Sequence, residues 1–198
     1  MILLIDPWLE GNPKACKRVE DFKKVDIACV THDHGDHLGD AIKICKQTRA
    51  TFVGIHELGV YAKEQGVADV VGINIGGTAE VKGVKVTMVQ AFHSALRGAP
   101  VGFIINGDGK TIYHMGDTSL FGDMRLIGEI YRPDVALIPI GGYYTMGPSE
   151  AAKAVELIKP SVVIPMHYQT FPVLTPSAEE FRKAVRERTP EVLVAVLK

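Results

Sequence analysis

Short runs of apolar, β-branched residues alternate with amphipathic stretches along most of the chain. The runs are bounded by Gly, Pro, Asp or Asn and predict strands over 2–5, 25–30, 50–53, 84–89, 101–105, 111–114, 135–138, 162–164 and 192–196. Helical spacing predicts helices over 37–47, 57–65, 121–131, 149–158 and 177–188. Asn106-Gly107-Asp108-Gly109 reads as a hairpin turn, because these residue types tolerate positive φ. Pro148 suits a first helical turn, and Pro160 and Pro190 suit stops. Ser177 with Glu180 fits a capping box, and Thr175 before Pro176 is an equally good cap. Gly76-Gly77 reads as a turn within one domain. Strands and helices mixed in this order predict a layered α/β fold.

Composition narrows the class. Of 198 residues, 46% are hydrophobic and 23% charged, which suits an ordered domain spanning 1–198. Twenty-two basic and twenty-three acidic side chains leave a net charge of −1, without the bulk basic field of a nucleic-acid binder. Cys16, Cys29 and Cys45 are odd in number and widely spaced, so neither a disulfide framework nor a thiolate metal knuckle is expected. No apolar run reaches the ~18 residues of a membrane span, and the first residues lack the pattern of a secretory signal. The expectation is a cytoplasmic protein away from membranes.

The chemistry concentrates in Thr31-His32-Asp33-His34-Gly35-Asp36-His37, between a predicted strand and a predicted helix. Imidazole nitrogen and carboxylate oxygen are the donor mix that suits zinc and its first-row neighbours. On a tight loop, positions i and i+2 reach one ion, and i+4 and i+5 begin the next turn and reach a second. Gly35 permits the sharp path between the pairs. A merely polar surface loop is the bland alternative, and four donors in six residues at a strand end weigh against it. His93, Asp117 and His167 each follow a predicted strand, the place where loops build sites. Five histidines and two aspartates suffice for two three-residue ligand sets and one bridging carboxylate. His56 reads as surface or capping and His114 as a core histidine. Tyr143, Tyr144 and Tyr168 are candidates for substrate contact or loop packing, and Arg97 is a candidate anion contact. The basic run Lys14, Lys17, Arg18, Lys23 and Lys24 reads as a solvated face.

His32-x-His34-x-Asp36-His37 followed by His93, Asp117 and His167 resembles the ligand pattern of the metallo-β-lactamase superfamily. Leu4-Ile5-Asp6-Pro7-Trp8, Tyr113-His114-Met115-Gly116-Asp117-Thr118, Pro139-Ile140-Gly141-Gly142 with Thr145-Met146-Gly147-Pro148, and Ile164-Pro165-Met166-His167-Tyr168 are similar to its branch of metal-dependent hydrolases related to ascorbate-6-phosphate lactonase. The resemblance implies a four-layer αββα sandwich. Members usually begin with a further strand pair bearing a Gly-His motif, which is not seen before Leu4 here. An uncovered sheet edge would invite pairing with a second copy.

The resemblance also implies roles. His32, His34 and His93 would hold one divalent ion, Asp36, His37 and His167 a second, and Asp117 would bridge them. Asp6 would brace the histidine loop from behind, or else cap a strand end before Pro7. Zinc is the expected metal, with manganese, iron and nickel open. The expected reaction is hydrolysis of a small ester, lactone, thioester or phosphoester by a hydroxide shared between the two ions, Asp36 orienting it or relaying its proton. The alternatives are a nucleic-acid phosphodiesterase, which the charge balance argues against, and a regulatory protein that keeps its metal for structure. An oxygen-reducing di-iron role fits poorly, because acidic replacements at the second histidine positions and a flavodoxin partner domain are both missing.

Overall fold

In the computed structural model, which describes residues 1–197, the Val- and Ile-rich runs are strands and the amphipathic stretches between them are helices. The chain divides into two compact units, one of residues 1–90 and 94–101, the other of residues 91–93 and 102 onward.

The first unit holds β1 (Leu3–Ile5), β2 (Ile27–Cys29), β3 (Thr51–Ile55) and β4 (Val70–Ile73) as a parallel sheet in that order. Parallel neighbours need crossovers, and helices supply two of them: α1 (Gly35–Leu38) with α2 (Ala41–Thr48) after β2, and α3 (His56–Glu64) after β3. Every residue of β3 is buried, as expected of an inner parallel strand. Phe52, Ile27, Ile44 and Leu58 are fully buried side chains of this core. Each such residue contributes roughly 1.5–3 kcal/mol by leaving water. β5 (Thr78–Val81) and β6 (Val84–Gln90) pair antiparallel, with Thr78 opposite Thr87.

The second unit holds all but the first residue of β7 (Val101–Gly107), then β8 (Lys110–His114), β9 (Val135–Pro139), β10 (Val162–Met166) and β11 (Leu193–Val194), in the order β11-β10-β9-β8-β7. The hairpin read at 106–109 joins β7 to β8, with Asp108 at φ 51° and Gly109 at φ 71° as the two central residues. From β8 to β11 the pairing is parallel, and α4 (Met124–Tyr131), α5 (Pro148–Ile158) and α6 (Glu179–Arg188) make the crossovers. Pro148 occupies the first turn of α5, where the Gly147 N–H donates to Glu150 Oε2 at 3.0 Å. A Cβ at Gly128 of α4 would stand 2.5 Å from the Ile158 carbonyl, so glycine is what lets α4 approach the end of α5.

Several expectations need correction. The helix predicted over 37–47 is two, α1 and α2, because Gly39 takes φ 42° and its Cα faces the Pro7–Trp8 backbone. β4 and β5 lie where no strand is predicted. α6 starts at Glu179, and the Ser177 hydroxyl accepts from the Glu179 N–H at 3.4 Å instead of closing a box with Glu180. The strand expected over 192–196 is the two-residue β11. Among the described residues no helix is long and apolar enough to cross a membrane.

Candidate metal centre

In the first unit the site begins where β1 ends. Asp6 has φ 48°, an uncommon conformation for a residue with a side chain, and it aims the carboxylate at the segment after β2. Asp6 Oδ1 accepts from the Thr31 N–H at 2.8 Å. Its Oδ2 accepts from the Thr31 hydroxyl at 2.7 Å and from His37 Nδ1 at 2.8 Å. In the neutral ring, with Nδ1 donating, Nε2 carries the lone pair of His37. Thr31 Oγ1 also lies 3.0 Å from His32 Nδ1, so one carboxylate and one hydroxyl orient two histidines.

His34 is the N-cap residue of α1, and Asp36 and His37 lie within that helix. His32 Nε2 is 2.9 Å from His34 Nδ1, and the His32 and His37 ring centroids are 4.1 Å apart. Donor atoms of His32 and His34, of His32 and His37, and of Asp36 and His37 lie within 4.8 Å of each other. His32 and His37 are buried, and Asp36 keeps one-fifth of its side chain exposed. A second latch holds the start of the chain here: Asp40 Oδ2 accepts from the Leu9 and Glu10 N–H groups, both at 2.9 Å, and the Asp40 N–H donates to the Pro7 carbonyl.

In the second unit His93, Asp117 and His167 follow β6, β8 and β10. Asp117 Oδ2 is 3.1 Å from His167 Nε2 and 3.6 Å from His93 Nε2. Asp117 is almost fully buried. Thr118 ties the two loops together, since its hydroxyl accepts from the Phe92 N–H at 3.0 Å and the Ser119 N–H donates to the Phe92 carbonyl at 3.1 Å. His167 has φ 54°. Gly141 packs so closely on it that a Cβ there would meet the His167 carbonyl at 2.5 Å.

Outside these clusters, His114 is buried and its Nδ1 accepts from the Gly116 N–H at 3.2 Å, in keeping with a core histidine. His56 is exposed at the start of α3, as a surface residue should be. Tyr143 and Tyr144 are exposed, with ring centroids 4.9 Å apart. Cys29 and Cys45 are buried, and burial pushes both thiols up, Cys45 to about 12, which leaves them without thiolate at neutral pH. Sequence reading missed Thr31, Asp33, Asp40 and Thr118. Thr31 and Asp33 stand beside His32, so adjacency was the only signal available for them.

The donors suit a divalent first-row ion. They are imidazoles and carboxylates, and a buried carboxylate fixes the ring of His37 from behind, as carboxylates do for metal-binding histidines.

The Beta-lactamase superfamily domain matches residues 2–168. A metallo hydrolase from the hyperthermophilic archaeon Ignicoccus hospitalis shares the fold at TM-score 0.91 and 42% identity, covering 99% of this chain and 87% of that one. The class is therefore that of the α/β metallo-β-lactamase fold, two sheets flanked by helices, as the ligand pattern implied. A metal-dependent hydrolase of Methanopyrus kandleri is 53% identical over 98% of this chain and 88% of its own, and one of Pyrococcus abyssi is 50% identical over 97% and 88%. The chain belongs to the UPF0173 family of metal-dependent hydrolases.

Proposed function

We propose that the chain hydrolyses a small ester, lactone, thioester or phosphoester with two divalent ions, zinc first among the candidates. His32, His34 and His93 would hold one ion, Asp36, His37 and His167 the other, and Asp117 both. The observation that carries this reading is that each unit gathers its share of the donors. His32, His34, Asp36 and His37 lie together with Asp6 holding His37, and the Nε2 atoms of His93 and His167 both lie within 3.6 Å of Asp117 Oδ2. Related chains bear the name metal-dependent hydrolase, which agrees with it.

When bound, such ions lower the pKa of water from ~15.7 toward ~7 and polarise the substrate's carbonyl or phosphoryl oxygen. The side chains do the rest. Asp36 keeps one-fifth of its side chain exposed, and it would orient the attacking water or relay its proton. Asp6 keeps the His37 ring oriented while its Nε2 is engaged. Burial of His32 and Asp117 keeps competing water from their donor atoms. The cysteines are not needed as nucleophiles.

His34→Ala or Asp117→Ala should remove bound metal and hydrolysis together, measured by elemental analysis and by turnover on lactone, thioester and phosphodiester substrates. His56→Ala should change neither. Hydrolysis that persists in a metal-free His34→Ala chain would overturn the reading.

A further inference from the structure

Between the two histidines His32 and His34 stands Asp33, whose side chain has 0% exposed area. A carboxylate buried to that degree needs partners, and residues 96 and 97 supply them. Asp33 Oδ1 accepts from the Leu96 N–H at 2.8 Å. Its Oδ2 pairs with Arg97 Nη1 at 3.1 Å. The Arg97 guanidinium lies over the Tyr61 ring of α3, 4.0 Å from the ring centroid. The next residue, Gly98, has φ 70° and packs where a Cβ would meet Ile55 and Glu57 at 2.8 and 2.7 Å. Residues 96–98 are thus held on β3 and α3 by one ring stack and one close backbone approach, and they hold Asp33 in turn. This placement also bears on the anion contact considered for Arg97, because a buried carboxylate already balances its charge.

We propose that Arg97 is a positioning residue. Through Asp33 it fixes the backbone between His32 and His34, so that both imidazoles present their donor atoms to one ion without reordering the loop. The inference rests on the metal-centre reading and adds to it a support that the ligand pattern does not contain. Arginine suits the task because its planar fork pairs with a carboxylate while its face stacks on an aromatic ring, whereas lysine has no planar group to stack.

The test uses the full chain without metal, in wild-type, Arg97→Ala, Arg97→Lys and Leu96→Ala forms. Amide hydrogen exchange is followed in peptides covering 31–37 and in the buried strand 51–55 as reference. Zinc affinity is measured separately by competition with a chromophoric chelator. Arg97→Ala should speed exchange at 31–37 at least about tenfold, leave 51–55 unchanged, and weaken zinc binding about 10- to 100-fold, the range for residues that orient ligands. Arg97→Lys should recover part of both, and Leu96→Ala, whose side chain is exposed, should behave as wild type. Unchanged exchange at 31–37 in Arg97→Ala overturns the proposal. So does faster exchange there with wild-type zinc affinity. A wild-type chain that takes up no zinc contradicts the metal-centre reading instead, and faster exchange in Arg97→Ala still supports the clamp.

Discussion

Asp6 does more than any other single carboxylate in the first unit, because three donors from two residues converge on its two oxygens. Asp6→Asn keeps the shape but replaces an acceptor oxygen with a donor amide, which cannot accept from both Thr31 and His37. Zinc affinity should fall about 10- to 100-fold, read by chelator competition, with the fold retained by circular dichroism. Gly39 is a purely steric case. Its φ of 42°, with the Pro7 carbonyl 2.7 Å from any Cβ, leaves no room for a side chain. Gly39→Ala should lower unfolding free energy by more than about 1 kcal/mol in urea, while Gly122→Ala, with nothing within 4 Å, should stay within about 0.5 kcal/mol of wild type. At this scale the sequence was most legible for the donors themselves, since four of them sit within six residues. It was least legible for their supports. Asp33 and Arg97 are 64 positions apart, and Asp6 and His37 are 31 apart, so only folding reveals the pairing.

Among the elements, legibility followed burial. β3 is buried along its whole length and β7 over its first five residues, and the apolar pattern finds both although Gly54 and Gly102 lie within them. β5 is Thr-Ala-Glu-Val with only its last residue buried, and it becomes a strand through its pairing with β6. β4 is Val-Val-Gly-Ile, short and with no fully buried residue, and it becomes a strand through its pairing with β3. Strand starts show a further device. At the head of β8, Asp134 Oδ2 accepts from the Thr111 N–H at 2.8 Å, and its Oδ1 pairs with Lys110 at 3.2 Å. The Thr111 N–H first, and Lys110 second, hold the Asp134 carboxyl below its ordinary 3.8. A carboxyl lowered in the folded state adds stability above its unfolded value, and that stability is lost as pH falls through the folded value. Wild type should therefore be more stable than Asp134→Asn at pH 7, and the gap should close below about pH 4. Urea melts of both chains at pH 7, 5 and 3 check this, and a gap that widens toward pH 3 would contradict it.

For the whole molecule, the account joins a family with a chemistry. Membership in the UPF0173 metal-dependent hydrolases defines the reaction class, and the imidazole and carboxylate donors gathered in each unit would serve it without the buried Cys29 and Cys45, whose thiols burial keeps protonated. Folded chain that binds metal tightly should unfold at higher temperature with metal than without, because ligand binding to the native state alone stabilises it by mass action. Removing metal with a chelator should lower the melting temperature, and restoring zinc should return it. The central claim is narrower and has a direct measurement: metal per chain, counted by plasma mass spectrometry after zinc loading and exhaustive dialysis. The account predicts close to two ions in the wild-type chain. A single tightly held ion, or none, would contradict the two ligand sets assigned to His32, His34, His93 and to Asp36, His37, His167.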